Sequence, residues 1–554
     1  MINRMIILSL FLVNNLNCDN GGKTPLMLSS KEGHLTCVNM LIANGADVNL
    51  QEKDGYTALM YASLHGHIDV VKYLVTHQAS LDLEDKNYDT ALDIAASCEQ
   101  IDVVKYLITD VDGSACDKAL VWMAGRGHLD IVKCLVEKGA DVNNTAIGWR
   151  GETALMWVSE YGYIDIVKYL VENGADIMQT SLYGSTALKS ASRKGHIDVV
   201  KYLIANGADV NDQCFLRCGA GVTALIDASE NGCIDVVRCL VENGANVNLQ
   251  GEYGGTALKC ASRKGHINIV KYLIEKGSDL SDGLLLVASS NGHLDVVECL
   301  IENGVDVNLQ DGKGKTALQC ASGGGYIDII KCLIDHGANL DLHDEYGKTC
   351  LMAALESYIL VEDQHINVVK CLIDHGVRMD LQDKYGKTSL MVALERNYIN
   401  VVKCLIDHGA KIDIQDKYGY TALMQAVRRP MDRVECLIEN GADVNVQNDR
   451  GKTALMIAAS NGRMDVIKYL FATGADLNLQ DDAGRTALLY ASENGHIEIV
   501  EYLLNNGANV NLQDKDGQTV MIEIAIKAYN KIRELLINAG AKNNIAYSDF
   551  DLFD

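Results

Sequence analysis

The chain has 554 residues and an ordinary globular composition, with 48% apolar and 22% charged residues, and its length predicts three or four domains of roughly 150 residues. It contains only two prolines, Pro25 and Pro430, where average usage gives roughly 28, which excludes proline-rich linkers and collagen-like segments. The 49 Lys and Arg against 74 Asp and Glu leave a net charge of −25. General binding to nucleic acids or anionic membranes needs clustered basic residues, so this charge argues against both.

A T-x-L motif recurs along the chain, and most successive copies are 33 residues apart, as Thr24 and Thr57 are. A fixed period of about 20 to 50 residues is typical of a solenoid. Degenerate copies at Lys118, Gly283 and Thr519 bring the count to sixteen. The other copies begin at Thr24, Thr57, Thr90, Thr153, Thr186, Thr223, Thr256, Thr316, Thr349, Thr388, Thr421, Thr453 and Thr486.

Each period predicts two short helices and a connecting finger. Thr57 is the N-cap of a two-turn helix with Leu59 and Ala62 on one face, and Gly66 ends that helix. A second apolar run follows at helical spacing, and the recurring N-G-A-D-V-N supplies the glycine that ends it. Neither helix is long enough to be stable alone, so each must bury its apolar face against neighbouring units.

The frame D-x-x-G-x-T-A-L-x-x-A-x-x-x-G-H-x-D-V-V resembles the ankyrin repeat over about Gly21 to Ala541. The resemblance implies an all-α solenoid of helix-turn-helix units with β-hairpin-like fingers. One departure recurs, because the histidine of the family's T-P-L-H motif is replaced in every copy, for example by Met60, Lys189 or Met424. In the family that histidine ties adjacent units together by hydrogen bonds, so its loss predicts weaker repeats without a change of fold.

The array is predicted to span residues 21–545, with an acidic tail at 546–554. Residues 1–20 have two interpretations: a half-repeat that caps the stack, or a secretory signal, because an apolar run at Met5 to Val13 follows Arg4. This run is too short to span a bilayer. The chain contains 17 cysteines, and free thiols in such number favour a reducing compartment and therefore a cytoplasmic protein. A cleaved signal would instead make the protein secreted.

Seventeen cysteines raise the question of disulfides or a metal site. Stacked helices lie about 8 to 10 Å apart and a disulfide needs Cα atoms within about 7 Å, so equivalent cysteines are predicted to be small buried hydrophobes. Seven of them share one second-helix position: Cys134, Cys239, Cys299, Cys332, Cys371, Cys404 and Cys436. The pair Cys214 and Cys218 comes closest to a zinc motif, but four converging ligands are needed and we predict no metal.

No motif indicates catalysis or a cofactor. Eleven of fourteen histidines fall at two repeat positions, after the first-helix glycine or near the second-helix end, where we expect local hydrogen bonds and a favourable helix dipole. The tripeptide G-K-T recurs, as at Gly314, but lacks the earlier glycine of a phosphate loop. The chain is therefore predicted not to be an enzyme.

Family resemblance places partner binding on the fingers and the exposed end of the first helix. There, Arg193-Lys194 and Arg263-Lys264 are two basic pairs in an acidic molecule. They are interpreted either as a site for an acidic or phosphorylated segment or as plain surface charge.

Tyrosine recurs three residues before the threonine of several repeats, where it either docks a partner or packs on the next finger. These residues are Tyr183, Tyr253, Tyr346, Tyr385 and Tyr418. We predict a monomeric, non-catalytic scaffold or adaptor that binds other proteins on its finger and first-helix surface, without nucleic-acid binding or a membrane span. The alternative is a targeting or substrate-receptor subunit of a multi-chain enzyme of the ubiquitin ligase or phosphatase type.

Overall fold

The computed structural model describes residues 22–111, 116–145, 151–213, 221–251, 254–280, 283–358, 361–517, 519 and 530–541. In these ranges the chain forms 31 α-helices, one 3-10 helix at Ile108–Asp110 and a single isolated β-bridge between Thr145 and Thr153. The predicted all-α repeat fold is confirmed. The chain divides into two compact units, Met1–Asp279 and Leu280–Asp554, so the boundary falls where the repeat interval is shortest, before Gly283.

The described part of the first unit contains eight helix pairs. Its helices are α1 Pro25–Lys31, α2 Leu35–Ala43, α3 Ala58–Leu64, α4 Ile68–Thr76, α5 Ala91–Ser97, α6 Ile101–Leu107, α7 Asp117–Gly125, α8 Leu129–Glu137, α9 Ala154–Tyr161, α10 Ile164–Glu172, α11 Ala187–Lys194, α12 Ile197–Ala205, α13 Ala224–Glu230, α14 Ile234–Glu242, α15 Ala257–Lys264 and α16 Ile267–Glu275.

The described part of the second unit contains seven helix pairs and one further helix. Its helices are α17 Leu284–Ser290, α18 Leu294–Glu302, α19 Ala317–Gly324, α20 Ile327–Asp335, α21 Cys350–Glu356, α22 Glu362–Asp374, α23 Ser389–Glu395, α24 Ile399–Asp407, α25 Ala422–Ala426, α26 Met431–Glu439, α27 Ala454–Ser460, α28 Met464–Ala472, α29 Ala487–Glu493, α30 Ile497–Asn505 and α31 Asn530–Asn538.

The first helices start at the recurring threonine, except α7 and α17 of the degenerate copies, whose N-caps are Cys116 and Gly283. In α3, Thr57 Oγ1 accepts a hydrogen bond from the Met60 backbone N–H at 3.2 Å, and the Met60 sulfur accepts one from Thr57 N–H at 3.3 Å. These bonds satisfy two donors that the helix leaves open. Gly66, with φ +71°, follows the last turn and takes a backbone conformation that side-chain-bearing residues rarely adopt. The predicted start and end are therefore confirmed.

Burial follows the repeat pattern in both helices. Leu59 and Ala62 of α3 are fully buried, as are Val71 and Leu74 of α4. Within each unit the first helices pack on the first helices of adjacent repeats, as α9 does on α11 and α19 does on α21. Because every short helix buries its apolar face against a neighbour, stability comes from the stack rather than from single helices.

An asparagine ladder links the ends of successive second helices. Asn445 Oδ1 accepts a hydrogen bond from Asp476 N–H at 2.9 Å, while its Nδ2 donates to Gly474 O at 3.1 Å. The same residue of each N-G-A-D-V-N motif therefore satisfies one donor and one acceptor of the next repeat. Equivalent paired bonds are made by Asn49, Asn143, Asn211, Asn248 and Asn308.

In the second unit, the fingers that the structure describes are hydrogen-bonded turns rather than pairs of β-strands. In the finger before α23, Asp383 Oδ1 accepts hydrogen bonds from Tyr385 N–H at 2.8 Å and Lys387 N–H at 2.9 Å. The backbone of Gly386 has a positive φ of +76° and the Asp383 N–H donates to Lys387 O at 3.0 Å. A short aspartate side chain thus holds the finger in one conformation.

Consecutive fingers of the second unit are joined by main-chain hydrogen bonds. Lys384 N–H donates to Tyr346 O at 2.9 Å, and Lys417 N–H donates to Tyr385 O at 2.8 Å. The series runs through six links, from Lys313 to Lys515. Glutamine side chains add a second series, since Gln382 Nε2 donates to Gly386 O of its own finger and to Gln415 O of the next. The fingers therefore form one hydrogen-bonded row.

Two irregular repeats follow from their altered length. The 39-residue interval before Thr388 lengthens the second helix of that repeat, α22, to 13 residues. Where one residue is missing before Thr453, Pro430 shortens α25 to 5 residues and precedes α26. A proline cannot continue the first helix but is well suited to start the next.

The position of the missing family histidine is filled in several ways. At Met60 the sulfur meets only its own helix cap. Gln319 instead donates from Nε2 to Lys348 O of the next repeat at 2.6 Å. Lys189 is buried, and its Nζ lies 2.7 Å from Asp212 Oδ2. The predicted loss of ties between repeats is therefore wrong at Gln319, because an amide replaces the imidazole as donor.

Candidate functional site

Most of the second-helix cysteines are buried, as predicted: Cys239, Cys299, Cys371, Cys404 and Cys436. The prediction is wrong for Cys134, which is exposed, and for the half-buried Cys332. Cys239 is covered by Asn243, whose Nδ2 lies 3.8 Å from the sulfur. Cys134 has Lys138 at the same offset, and this side chain reaches away to Thr109 O.

Burial raises the pKa of several described interior thiols, such as those of Cys260 and Cys320. Burial raises the pKa of Cys350 to about 12, and a thiol is reactive only as the thiolate. The described residues contain no cluster of three His, Cys, Asp or Glu side chains placed to hold a metal ion. The candidate zinc residues Cys214 and Cys218 lie outside the described residues.

The turn histidines join repeats rather than closing their own turn. His67 Nε2 donates to Lys31 O at 2.9 Å, and His196 Nε2 donates to Glu160 O at 2.8 Å. Each acceptor is 36 residues earlier, so the predicted local hydrogen bond is wrong. The histidines at second-helix ends do bond locally, as His408 Nδ1 does to Cys404 O at 2.7 Å. Structural contacts are therefore made by all four helix-end histidines, and by the turn histidines His67, His196, His266 and His496.

The first basic pair is matched by carboxylates of the repeats on either side. Arg193 Nη2 lies 3.2 Å from Asp227 Oδ2, and Lys194 Nζ lies 3.4 Å from Glu160 Oε1. Burial raises the pKa of Asp227, and the Arg193 guanidinium opposes that rise. A buried carboxylate of this kind needs its counterion to stay charged. Arg193 therefore has a structural role within the array.

The second basic pair shares one acid. Arg263 Nη2 and Lys264 Nζ lie 3.1 and 3.9 Å from the same Glu230 oxygen. Both basic side chains remain about half exposed, so these ion pairs are weak. Recognition of an acidic or phosphorylated segment by Arg193, Lys194, Arg263 and Lys264 stays a prediction.

The finger tyrosines that the structure describes are exposed. Tyr183 in the first unit is 53% exposed, and Tyr346, Tyr385 and Tyr418 in the second are 42%, 47% and 60% exposed. Tyr253 lies outside the described residues.

Three of these tyrosines lie on successive fingers of the hydrogen-bonded row. Lys384 Nζ lies 3.8 Å from the centre of the Tyr346 ring and 5.1 Å from that of Tyr385. A cation at this distance over an aromatic face is attracted to it. Tyr346, Tyr385 and Tyr418, with Lys384 against the first two rings and the exposed Lys417 beside the third, therefore form one surface, here called the tyrosine finger row.

A second aromatic surface was missed by the sequence reasoning. At the ends of α7 and α9, a cleft of about 640 Å³ is lined by Trp122, Trp157, Tyr161 and Tyr163, among other residues. The signal was present in the sequence, because the three tryptophans of the chain all lie between residues 122 and 157. Tryptophan therefore occurs in only two adjacent repeats, and such a departure from the repeat pattern indicates a role other than the packing common to all repeats.

Comparison with known proteins agrees with this architecture. The family model described as ankyrin repeats (3 copies) matches residues 3–52, 29–119, 120–214, 212–282, 285–360, 357–448, 423–514 and 455–549. These matches cover nearly the whole chain, and the chain belongs to the ankyrin repeat family. Ankyrin repeats are generally protein-protein interaction modules.

Among solved structures, the chain is similar to the crystal structure of the human ASB11 ankyrin repeat domain. The identity is 25% over 41% of this chain and 99% of that one, with a TM-score of 0.37. No curated protein matches. Within the described ranges, no helix has the length and apolar character needed to cross a membrane.

Proposed function

We propose that this protein is a non-catalytic scaffold or adaptor, and that the tyrosine finger row is a docking surface for a partner protein. The observation that carries the proposal is the exposure of Tyr346, Tyr385 and Tyr418 on three successive fingers joined by main-chain hydrogen bonds. Exposed tyrosines are frequent binding anchors, and a surface held in place before binding loses little entropy when a partner docks.

The charge of this row suits a partner that presents carboxylates or phosphates beside apolar groups. The Lys384 ammonium lies against the rings of Tyr346 and Tyr385, and Lys417 is exposed on the next finger, whereas the Oδ1 atoms of Asp383 and Asp416 accept backbone hydrogen bonds inside their fingers. The ammonium groups therefore face the partner more directly than these acids do. Complementary charge of this kind raises association rates and selects partners.

The alternative is a targeting or substrate-receptor subunit of a multi-chain enzyme, which would use the same docking surface. The two roles differ in whether the bound partner is catalytic. A catalytic chain recovered in stoichiometric amount with the protein favours that role, and a partner without catalytic activity favours a scaffold. A cytoplasmic location and a monomeric state complete the proposal.

The experiment places a photo-crosslinking amino acid at Tyr385 and, as a matched control, at Tyr169 on second helix α10. Irradiation in lysate of the native host is followed by mass spectrometry. We expect a discrete cross-linked partner from position 385 that is lost when Tyr346 and Tyr418 are both changed to Ala. Equal cross-linking from position 169, or no effect of the two substitutions, would contradict the proposal.

A further inference from the structure

Two tryptophans occupy the same repeat position in adjacent repeats of the first unit. Trp122 lies two residues after Leu120 in α7, just as Trp157 lies two residues after Leu155 in α9. Other first helices hold smaller residues at this position, such as Ser190, and the packing of the repeat does not need an indole there. The two rings are therefore an addition to the repeat.

A glycine in the preceding repeat makes room for one of these rings. A side chain at Gly125, the last residue of α7, would place its Cβ 3.3 Å from Cε3 of Trp157. Such a contact is tighter than ordinary van der Waals packing, so the absence of a side chain lets the indole lie against α7. The ring of Trp157 thus lies where the ends of α7 and α9 meet.

Two tyrosines extend this aromatic surface along the end of α9. The ring of Tyr161 stacks on Trp157 with centres 6.0 Å apart, and Tyr163 stacks on Tyr161 at 6.1 Å, with interplanar angles of 29° and 28°. Trp122, Tyr161 and Tyr163 are 38%, 49% and 36% exposed. Exposed apolar rings grouped this closely mark a contact surface.

One cation already lies on an indole of this cleft. The Arg126 guanidinium carbon is 5.3 Å from the centre of the Trp122 ring. Its Nε lies 2.5 Å from Glu99 Oε1, and its Nη2 donates to Ser97 O at 2.7 Å. Contacts with the preceding repeat therefore fix Arg126 beside Trp122, and its guanidinium does not cover the neighbouring rings.

The rings of Trp157, Tyr161 and Tyr163 are not covered in this way. No lysine or arginine in the described residues lies over these three rings. Aromatic faces carry negative potential and attract cations, and arginine also stacks flat on them. The chain as a whole carries a charge of −25, which draws basic partners and repels acidic ones.

We propose that this cleft, lined by Trp122, Trp157, Tyr161 and Tyr163, binds an arginine side chain of an extended basic segment on a partner protein. The guanidinium stacks on the uncovered rings in the way Arg126 stacks on Trp122. The inference rests on the proposed role as a protein-binding array, but it does not depend on the tyrosine finger row, which lies in the other unit.

Tryptophan fluorescence gives a direct test, because the full-length Trp149→Phe variant emits only from the two tryptophans of the cleft. The probe is a capped Gly-Ser-Arg peptide of three repeats, titrated up to about 1 mM, an affinity range expected of a single anchor. Peptides with Arg replaced by Glu, and by Pro, serve as comparisons. We expect a saturable change in emission with the Arg peptide alone, weakened by added salt.

Substitutions borrowed from other repeats separate binding from folding. In the next repeat, the positions of Tyr161 and Trp157 are occupied by Lys194 and Ser190. The variants Tyr161→Lys and Trp157→Ser introduce these two residue types. Each is expected to weaken binding of the Arg peptide about tenfold or more, with unchanged circular dichroism. The control Tyr202→Ala, on second helix α12 of the same unit, should bind normally.

Equal binding of the Glu or Pro peptide, no saturable change with the Arg peptide, or unaltered affinity in Tyr161→Lys would each overturn the inference. None of these results bears on cross-linking from position 385, so the two proposals fail separately.

Discussion

Gln319 Nε2 donates a hydrogen bond to the backbone oxygen of Lys348 at 2.6 Å, and Gln319 Oε1 accepts one from Thr316 N–H at 2.9 Å. The first bond joins α19 to the finger of the next repeat. The second closes the helix cap of its own repeat. A single neutral amide thus caps its own helix and bonds to the next repeat, at the position where the family's motif has a histidine.

Replacing Gln319 by Met, the residue at this position in several other repeats, should destabilise the second unit by about 1 to 2 kcal/mol. The reason is that the partly buried Lys348 O loses its donor, and that a methionine sulfur, a weaker acceptor, replaces the amide oxygen for the Thr316 N–H, as Met60 does for Thr57. Urea unfolding followed by circular dichroism measures the change. Met424→Leu, an apolar exchange at the same repeat position, should have a smaller effect; equal midpoints for the two variants would refute the assigned role.

The ion pair of Lys189 and Asp212 should show strong coupling in a double-mutant cycle. Lys189 Nζ lies 2.7 Å from Asp212 Oδ2, with side-chain exposures of 4% and 23%. Lys189→Met alone leaves a carboxylate without its counterion and should cost about 2 to 3 kcal/mol. Asp212→Leu alone leaves a buried ammonium group and should cost at least as much.

The double variant introduces the residues that the repeat beginning at Thr24 holds at these positions, Met27 and Leu50. Because well-packed apolar residues replace a buried ion pair at little cost, we expect its stability to be within about 1 kcal/mol of the wild type. The free energies of unfolding of all four proteins decide the matter. Additive losses in the double variant would show that the pair is not coupled.

Asp413 occupies a position of the asparagine ladder, but its side chain has no N–H group to donate. It accepts a hydrogen bond from Asp443 N–H at 3.2 Å, whereas Asn445 at the next position both accepts and donates. Asp413→Asn should supply the missing donor and stabilise the second unit by about 0.5 kcal/mol, a low figure because the site is exposed. Thermal or urea unfolding at pH 7 measures the gain.

The gain should depend on pH in a defined direction. Desolvation and then the charge of Asp443 raise the pKa of Asp413 above its ordinary value of 3.8, against the hydrogen bond from Asp443 N–H. The wild-type carboxylate is therefore unfavourable above its raised folded pKa. This cost fades as the pH falls through that value towards 3.8. The advantage of Asp413→Asn should shrink over this interval, and the reverse exchange Asn445→Asp should be destabilising at pH 7.

The structure of one repeat could be predicted from its own residues. Thr57 as N-cap and Gly66 after the last turn depend on contacts within ten positions of the chain, and the helical spacing of Leu59 and Ala62 marks the face that adjacent repeats bury. Such contacts leave a local pattern of spacing and residue type, and repetition made the pattern visible many times.

Contacts between repeats left no local pattern and were the main source of error. The acceptor of His67 is Lys31 O, and the counterion of Arg193 is Asp227, each more than thirty residues away in sequence. Both residues were assigned by considering their own repeat alone. Cys134 is exposed although its equivalents at the same repeat position are mostly buried, a difference that the shared position did not reveal.

The hydrogen-bonded finger row also bears on how such a surface changes over time. The links between fingers, such as Lys384 N–H to Tyr346 O, use backbone atoms only. The residue at a finger tip can therefore be exchanged while the link that positions it is kept. Under the proposed docking role, partner preference can diverge by single substitutions at the finger tips, without compensating changes in the helices that carry them.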